Sequence, residues 1–371
     1  MRQTEGSANM TDALAARTQR VEDRLAPASV TFGFGMISAQ RDPRDSRSDA
    51  DVYADLLSLC AEAERLGYDA VWVTEHHFVD DGYMPSLLPV CAAIAARTAR
   101  VRIGTGVLLA PLYHPLRLAE DAATVDLISR GRLVLGLGAG YRDEEFAGLG
   151  VPRAGSAAAL EATIATLRRA WSGEPVAVGE GSPVRVTPRP HAPAGPPIWL
   201  GARKRPGIRR AARTAQGFLA ARVTPEEFAA QVRVLREELA VQGRDPAEMP
   251  VAVHCPVFAW NGPDAWDRIA PHLHYVEWKY ADMVSVPYGQ RVGPGVPPPP
   301  GPGTLASLRA GALVGSPAEV ADVVAAYAEA AGDLPFHFVA RLYWPGLDPA
   351  VQREAMAVFA GEVVPAVTRR R

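Results

Sequence analysis

The sequence predicts an α/β protein whose 371 residues build a parallel (β/α)8 TIM barrel. Three observations carry that prediction. Short apolar, β-branched runs alternate with longer amphipathic ones from Val30 to near the C-terminus. The short runs are apolar throughout rather than at every second position, as strands of a parallel sheet covered by helices must be. The alternation occurs eight times, the number of βα units that closes a barrel. An open doubly wound sheet is the structural alternative.

The elements follow in order. Residues 30–37 form the first strand, and Asp49 caps a helix with apolar positions at Val52, Leu56, Leu59 and Ala63, ended by Gly67. The second strand is 69–74 and its helix 85–97; the third strand is 101–109, and Pro115 opens a helix to 128 at a position where its missing N–H costs nothing. Strand four, 133–137, is followed by an irregular segment and a helix over 157–171. The later strands are 197–201, 217–221, 251–260 and 335–341, with helices near 206–214, 225–241, 264–283 and 317–331 and a last one over 349–364. Two insertions break the pattern. Residues 174–196 contain a hairpin (176–178 with 184–187) after strand four. Residues 287–303, with four consecutive prolines at 297–300, are too rich in Pro and Gly for helix or strand and are expected to act as a lid after strand seven. Residues 1–30, polar and rich in Arg and Ala, are expected to be a flexible extension in which 11–24 forms at most a frayed helix, leaving 31–371 as the barrel domain.

Composition narrows the function. The chain is 48% hydrophobic and 22% charged, and its 39 Lys and Arg nearly balance 41 Asp and Glu, for a net charge of −2. That lacks the basic footprint of a nucleic-acid binder. No run approaches the roughly 18 apolar residues that cross a bilayer, and the N-terminus lacks the apolar segment of a secretory signal. Cys60, Cys91 and Cys255 are too few and too scattered for a disulfide framework, and reduced thiols in the cytoplasm are expected.

Barrel enzymes keep their chemistry at the C-terminal ends of the strands. The second strand ends in Glu75-His76-His77, groups that are expensive to bury without use. Adjacent side chains in extended backbone point in opposite directions, so the two imidazoles are poorly placed to chelate one metal, and none is expected. One imidazole is expected to serve as an acid or base, oriented by Glu75. The third strand contains Gly104-Thr105-Gly106-Val107 and the fourth Gly136-Leu137-Gly138-Ala139-Gly140. Such strands give up side-chain packing, either to a β-bulge or to let a flat ligand approach the backbone. After strand five, Gly201-Ala202-Arg203-Lys204-Arg205 precedes a helix N-terminus, which suits a phosphate.

Together the segments Asp69–Phe78, Gly104–Gly106, His114-Pro115 with Glu120-Asp121, Gly131–Leu133, Gly138–Tyr141 with Glu145-Phe146, and Pro197–Gly201 resemble the luciferase-like flavin monooxygenase family over about residues 31–366. The resemblance implies a barrel that binds reduced FMN, supplied by a separate NAD(P)H-dependent flavin reductase. The flavin hydroperoxide formed with O2 then oxidises a small organic substrate. A sister branch uses the deazaflavin coenzyme and transfers hydride, and some members are non-catalytic partner subunits, a role in which a buried Glu-His pair has no use. The resemblance places His76 at the catalytic histidine, with Glu75 beside it. Thr105, Gly106 and Val107 fall at a non-prolyl cis peptide beneath the flavin ring. Gly138, Ala139 and Gly140 fall beside the flavin, and Gly201, Ala202 and Arg203 at its phosphate. Bacterial luciferase has a phosphate-binding arginine at the position of Ala139; here Arg203, Lys204 or Arg205 must substitute. The resemblance also implies a homodimer, and a substrate pocket between His76, the helix of His272, His274 and Trp278, and the Pro-rich loop.

Overall fold

The computed structural model describes residues 30–179, 181–285 and 295–370. The expected extension thus lies outside the described residues except for Val30. The chain runs through β1 (Val30–Ile37), α1 (Asp49–Leu66), β2 (Ala70–Val73), α2 (Leu87–Arg97), β3 (Arg102–Thr105), β4 (Leu108–Leu109) and α3 (Pro115–Ser129). Next come β5 (Leu133–Gly138), α4 (Asp143–Gly148), α5 (Ser156–Ser172), β6 (Ile198–Ala202), α6 (Arg205–Thr214), β7 (Gly217–Ala220) and α7 (Pro225–Val241). The last part holds β8 (Val251–Ala259), α8 (Ala265–Ser285), α9 (Pro302–Gly311), β9 (Leu313–Gly315), α10 (Pro317–Ala331), β10 (Phe336–Arg341), α11 (Pro349–Val358) and α12 (Val364–Thr368).

Parallel pairing runs β1-β2-β3-β5-β6-β7-β8, and β10 closes the barrel by pairing with both β8 and β1. β4 and β9 are short additions at the rim, paired with β5 and with the end of β8. The predicted third strand is therefore two pieces, interrupted at Gly106-Val107. The predicted hairpin shrinks to a single antiparallel bridge between Val176 and Val184, and α4, α9 and β9 arise in stretches read as irregular.

Local chemistry sets the helix ends. Ser48, rather than Asp49, caps α1 in a reciprocal box with Asp51, and Gly67 ends it at φ 90. Thr224 with Glu227 and Ser316 with Glu319 repeat the box on α7 and α10. The outward faces of the strands pack on the helices, where Cys60, Cys91 and Cys255 are buried as free thiols.

Inside the barrel a second cluster forms around Trp72 and Trp199, whose rings are 5.5 Å apart. The Trp72 indole donates to His337 Nε2 at 2.9 Å, so Nδ1 bears the proton and faces Thr31 Oγ1 at 2.8 Å. Burial pushes His337 down to about 3, so the pair is neutral at the barrel's centre. Here the strand glycines have a purpose other than a ligand. A Cβ at Gly104 would lie 2.3 Å from the Trp72 ring, and one at Gly217 would lie 2.4 Å from the Trp199 ring. Gly104→Ala is therefore expected to destabilise the protein by about 1–3 kcal/mol through overpacking. The urea midpoint should fall at constant slope; an unchanged midpoint would show that the ring yields freely.

Candidate active site

At the C-terminal end of the barrel a cavity of about 680 Å³ opens, within the usual size of a ligand pocket. Glu75, His76, Gly106, Val107, Gly138, Ala139, Gly140, Gly201, Ala202 and Arg203 all line it. Thr105 does not. It is fully buried behind the wall, its hydroxyl donating to the Gly136 carbonyl at 2.7 Å.

One wall is bare backbone. The Gly106-Val107 peptide is cis. The Val107 side chain packs across the neighbouring strands, where a Cβ at Gly138 or Gly201 would come within 2.6 or 2.9 Å of it. Gly106 faces Met36, the floor of the cavity. The glycines of β5 and β6 thus make room for Val107, which with Gly106 forms this wall of the cavity.

Opposite chemistry meets this wall at His76. Its Nδ1 lies 2.7 Å from Glu145 Oε1, which also accepts from the His77 amide at 3.1 Å and from Arg142 Nη1 at 3.2 Å. Burial pushes the Glu145 carboxyl up, but the bond and charge of His76, the His77 amide and Arg142 outweigh it and hold it below the usual carboxylate range. An ionised acceptor requires the proton on Nδ1. Nε2, on the other side of the ring, hydrogen-bonds with the Tyr141 hydroxyl at 3.4 Å. Tyr83, Tyr141 and Tyr280 surround the ring edge-on at 4.8, 5.6 and 5.9 Å.

Glu75 does not orient His76, contrary to the sequence expectation. Alternation along the strand turns it to His77 Nε2 at 2.6 Å, with the Leu109 amide and Tyr113 hydroxyl at 3.2 Å. Burial raises its pKa, and the His77 bond offsets this only in part. The carboxylate that the sequence analysis missed sits in the acidic run 143–145 and is carried to His76 by the first turn of α4.

At the other end Gly201, Ala202 and Arg203 lead into the N-terminus of α6. Arg205 is drawn away to Glu237 and Glu238 at 3.1 and 3.4 Å. Arg203 remains on the cavity, its carbonyl accepting from Gln231.

The α8 wall differs from expectation. His272 bonds the Pro345 carbonyl at 2.9 Å and His274 the Pro298 carbonyl at 2.8 Å, while Trp278 packs at Gly295. The cavity instead receives Glu277 and Tyr280 from another face of the helix, with Arg222, His254 and Arg341 from strand ends. Residues 287–294 of the expected lid lie outside the described residues. Among the described residues no three His, Cys, Asp or Glu side chains gather as a metal site, and no helix is long and apolar enough to cross a membrane.

At the barrel's mouth a glycine-lined wall thus meets a carboxylate-held histidine. The family model for luciferase-like monooxygenases matches residues 32–334. The chain belongs to that family. It is 33% identical over 43% of its length to the oxygenase component of the flavin-dependent trigonelline monooxygenase of Acinetobacter baylyi, covering 46% of that relative. It is also 33% identical over 53% of its length to an F420-dependent glucose-6-phosphate dehydrogenase of Nakamurella multipartita, covering 57% of it. The chain thus spans only about half the length of these curated relatives. The crystal structure of the monooxygenase RslO1 from Streptomyces bottropensis superposes with a TM-score of 0.76 at 26% identity, covering 90% of this chain and 99% of that one.

The Glu145 arrangement has a pH signature. A carboxyl whose folded pKa lies below its unfolded value contributes stability above the unfolded value, near 4.3, and loses it as pH falls through the folded one. Glu145→Gln should unfold at a lower temperature than the wild type at about pH 7, and the gap should narrow below about pH 4. A gap of the same size at both pH values would mean that Glu145 acts by packing alone.

Proposed function

We propose that the protein is a two-component flavin monooxygenase. It takes reduced FMN from a separate NAD(P)H-dependent flavin reductase and uses O2 to oxidise a small organic substrate. The observation that carries this reading is the meeting, in one cavity, of the bare Gly106-Val107 wall with an imidazole whose Nδ1 is fixed by an ionised carboxylate.

The residues fit the cofactor. The strip of Gly106, Val107, Gly138 and Gly201 offers a planar ring backbone and one small side chain to lie against, and a Cβ at Gly106 would press on Met36 at 3.0 Å. Gly201, Ala202 and Arg203, with the α6 N-terminus, supply N–H groups and a cation for the phosphate. When bound, reduced FMN supplies two electrons to O2, so that one oxygen atom enters the substrate and the other leaves as water. His76 Nε2 holds or delivers the proton that this exchange needs, while Glu145 keeps the ring in one tautomer. The three tyrosines around His76 keep water from its edge. A homodimer in the cytoplasm belongs to the same reading. Hydride transfer with the deazaflavin coenzyme is the second reading, favoured by the likeness to an F420-dependent dehydrogenase. Arg203 and the α6 N-terminus would serve either phosphate.

The test is rapid mixing of the protein–FMNH2 complex with oxygenated buffer. The wild type should show a transient absorbing species before oxidised flavin appears. His76→Ala should bind FMNH2 within about twofold of wild type and lose about 10²-fold or more in substrate oxidation, or shorten the transient. Unchanged turnover in the variant would remove His76 from the chemistry, and lost affinity with unaltered chemistry would make it a binding residue.

A further inference from the structure

Across Tyr280 from His76 stands a cation with no assigned work. Arg341 ends β10 and is 6% exposed, and among the described residues its Nε and Nη2 have no hydrogen-bond partner. Register fixes its direction. His337 and Val339 precede it at two-residue steps and both join the cluster inside the barrel, so Arg341 also points inward, one layer higher, onto the cavity. Its guanidinium lies 5.4 Å from the centre of the Tyr280 ring, a contact that leaves the two nitrogens free.

The surroundings leave the charge unbalanced. Arg222 is already ion-paired with Glu277. His254 is neutral, since burial and the nearby Arg341 and Arg222 push it down to about 3; its Nδ1 also lacks a partner among the described residues. Two guanidiniums therefore face one carboxylate, and a neutral imidazole stands beside them. A buried guanidinium with two unpaired nitrogens is costly, and those two, Nε and Nη2, lie on one edge of the fork, the edge that receives both oxygens of a carboxylate.

We propose that Arg341, with His254 and the Arg222–Glu277 pair around it, forms an anion subsite that holds the carboxylate of a monoanionic organic substrate, with the body of the substrate directed towards His76. The proposal rests on the monooxygenase reading of the same cavity and adds the substrate class. The tyrosines between Arg341 and His76, with the Tyr83 and Tyr280 hydroxyls 2.8 Å apart, suit a flat apolar body. The phosphate of the cofactor is the other source of such a charge, and binding measurements separate the two.

Calorimetric titration of the full chain, with and without FMN, would use three acids and their amides: benzoate and benzamide, phenylacetate and phenylacetamide, hexanoate and hexanamide. At least one acid should bind about tenfold or more tightly than its amide, the difference expected of a desolvated charge-assisted pair. Arg341→Gln should abolish that preference while leaving amide and FMN affinities unchanged, and Arg341→Lys should restore it only in part. Should the Arg341 variants fail to fold, Glu277→Gln tests the same point in the opposite direction. Removing the competing carboxylate should raise acid affinity several-fold. The subsite is overturned if no acid outcompetes its amide or if Glu277→Gln leaves acid binding unchanged. It is overturned equally if Arg341→Gln weakens FMN, which would make the anion the cofactor's phosphate. Failure of FMN to bind at all would sink the flavin reading alone, because the acid preference is also read without it.

Discussion

Barrel closure by β10 is the constraint on which the molecule depends. A parallel sheet of this length would otherwise present two unpaired edges, and β10 removes both by bonding β1 on one side and β8 on the other. Closure in that register decides which residues face inward. It sets His337 against Trp72 at the centre and Val339 above it, and it brings Arg341 to the mouth. The same inward rows from β2, β3, β5 and β6 end in His76, Gly106, Gly138 and Gly201. The site is therefore assembled by strand pairing from residues far apart in the chain, over a plug of tryptophans that the strand glycines admit.

Two glutamates at the mouth show how position divides labour among like groups. Glu75 is buried with one histidine and two weaker donors, and burial prevails. Glu145 is equally sequestered but takes an imidazole, an amide and a guanidinium, and the charged form prevails. Only the second is bonded to the imidazole that reaches the cavity. The consequence is a histidine held in one orientation beside the Gly106-Val107 wall.

Much of this was legible in the sequence. Continuous apolar strands and capped amphipathic helices repeat often enough to specify the barrel, and the rule that chemistry lies at strand ends found ten of the eleven residues proposed to line the cavity. The exception, Thr105, faces away by alternation. The partner of His76 was not legible, because any of Asp143, Glu144 and Glu145 satisfies the local pattern and only the path from Gly140 into α4 selects the third. Arg341 was available to the strand-end rule but was hidden by its apolar neighbours in Phe336–Arg341. The helix of His272, His274 and Trp278 does border the cavity, but through Glu277 and Tyr280, which its packing turns inward. Among the glycines, Gly104 was read as either a β-bulge or room for a flat ligand and instead holds space for Trp72.

We propose that the cavity takes reduced FMN in preference to the deazaflavin coenzyme. Anaerobic titration of the full chain with photoreduced FMN, and separately with reduced deazaflavin coenzyme, tests it most directly. Saturable binding of FMNH2 about tenfold or more tighter than the deazaflavin is the result the monooxygenase reading predicts. Tighter binding of the deazaflavin, or binding of neither, would contradict it.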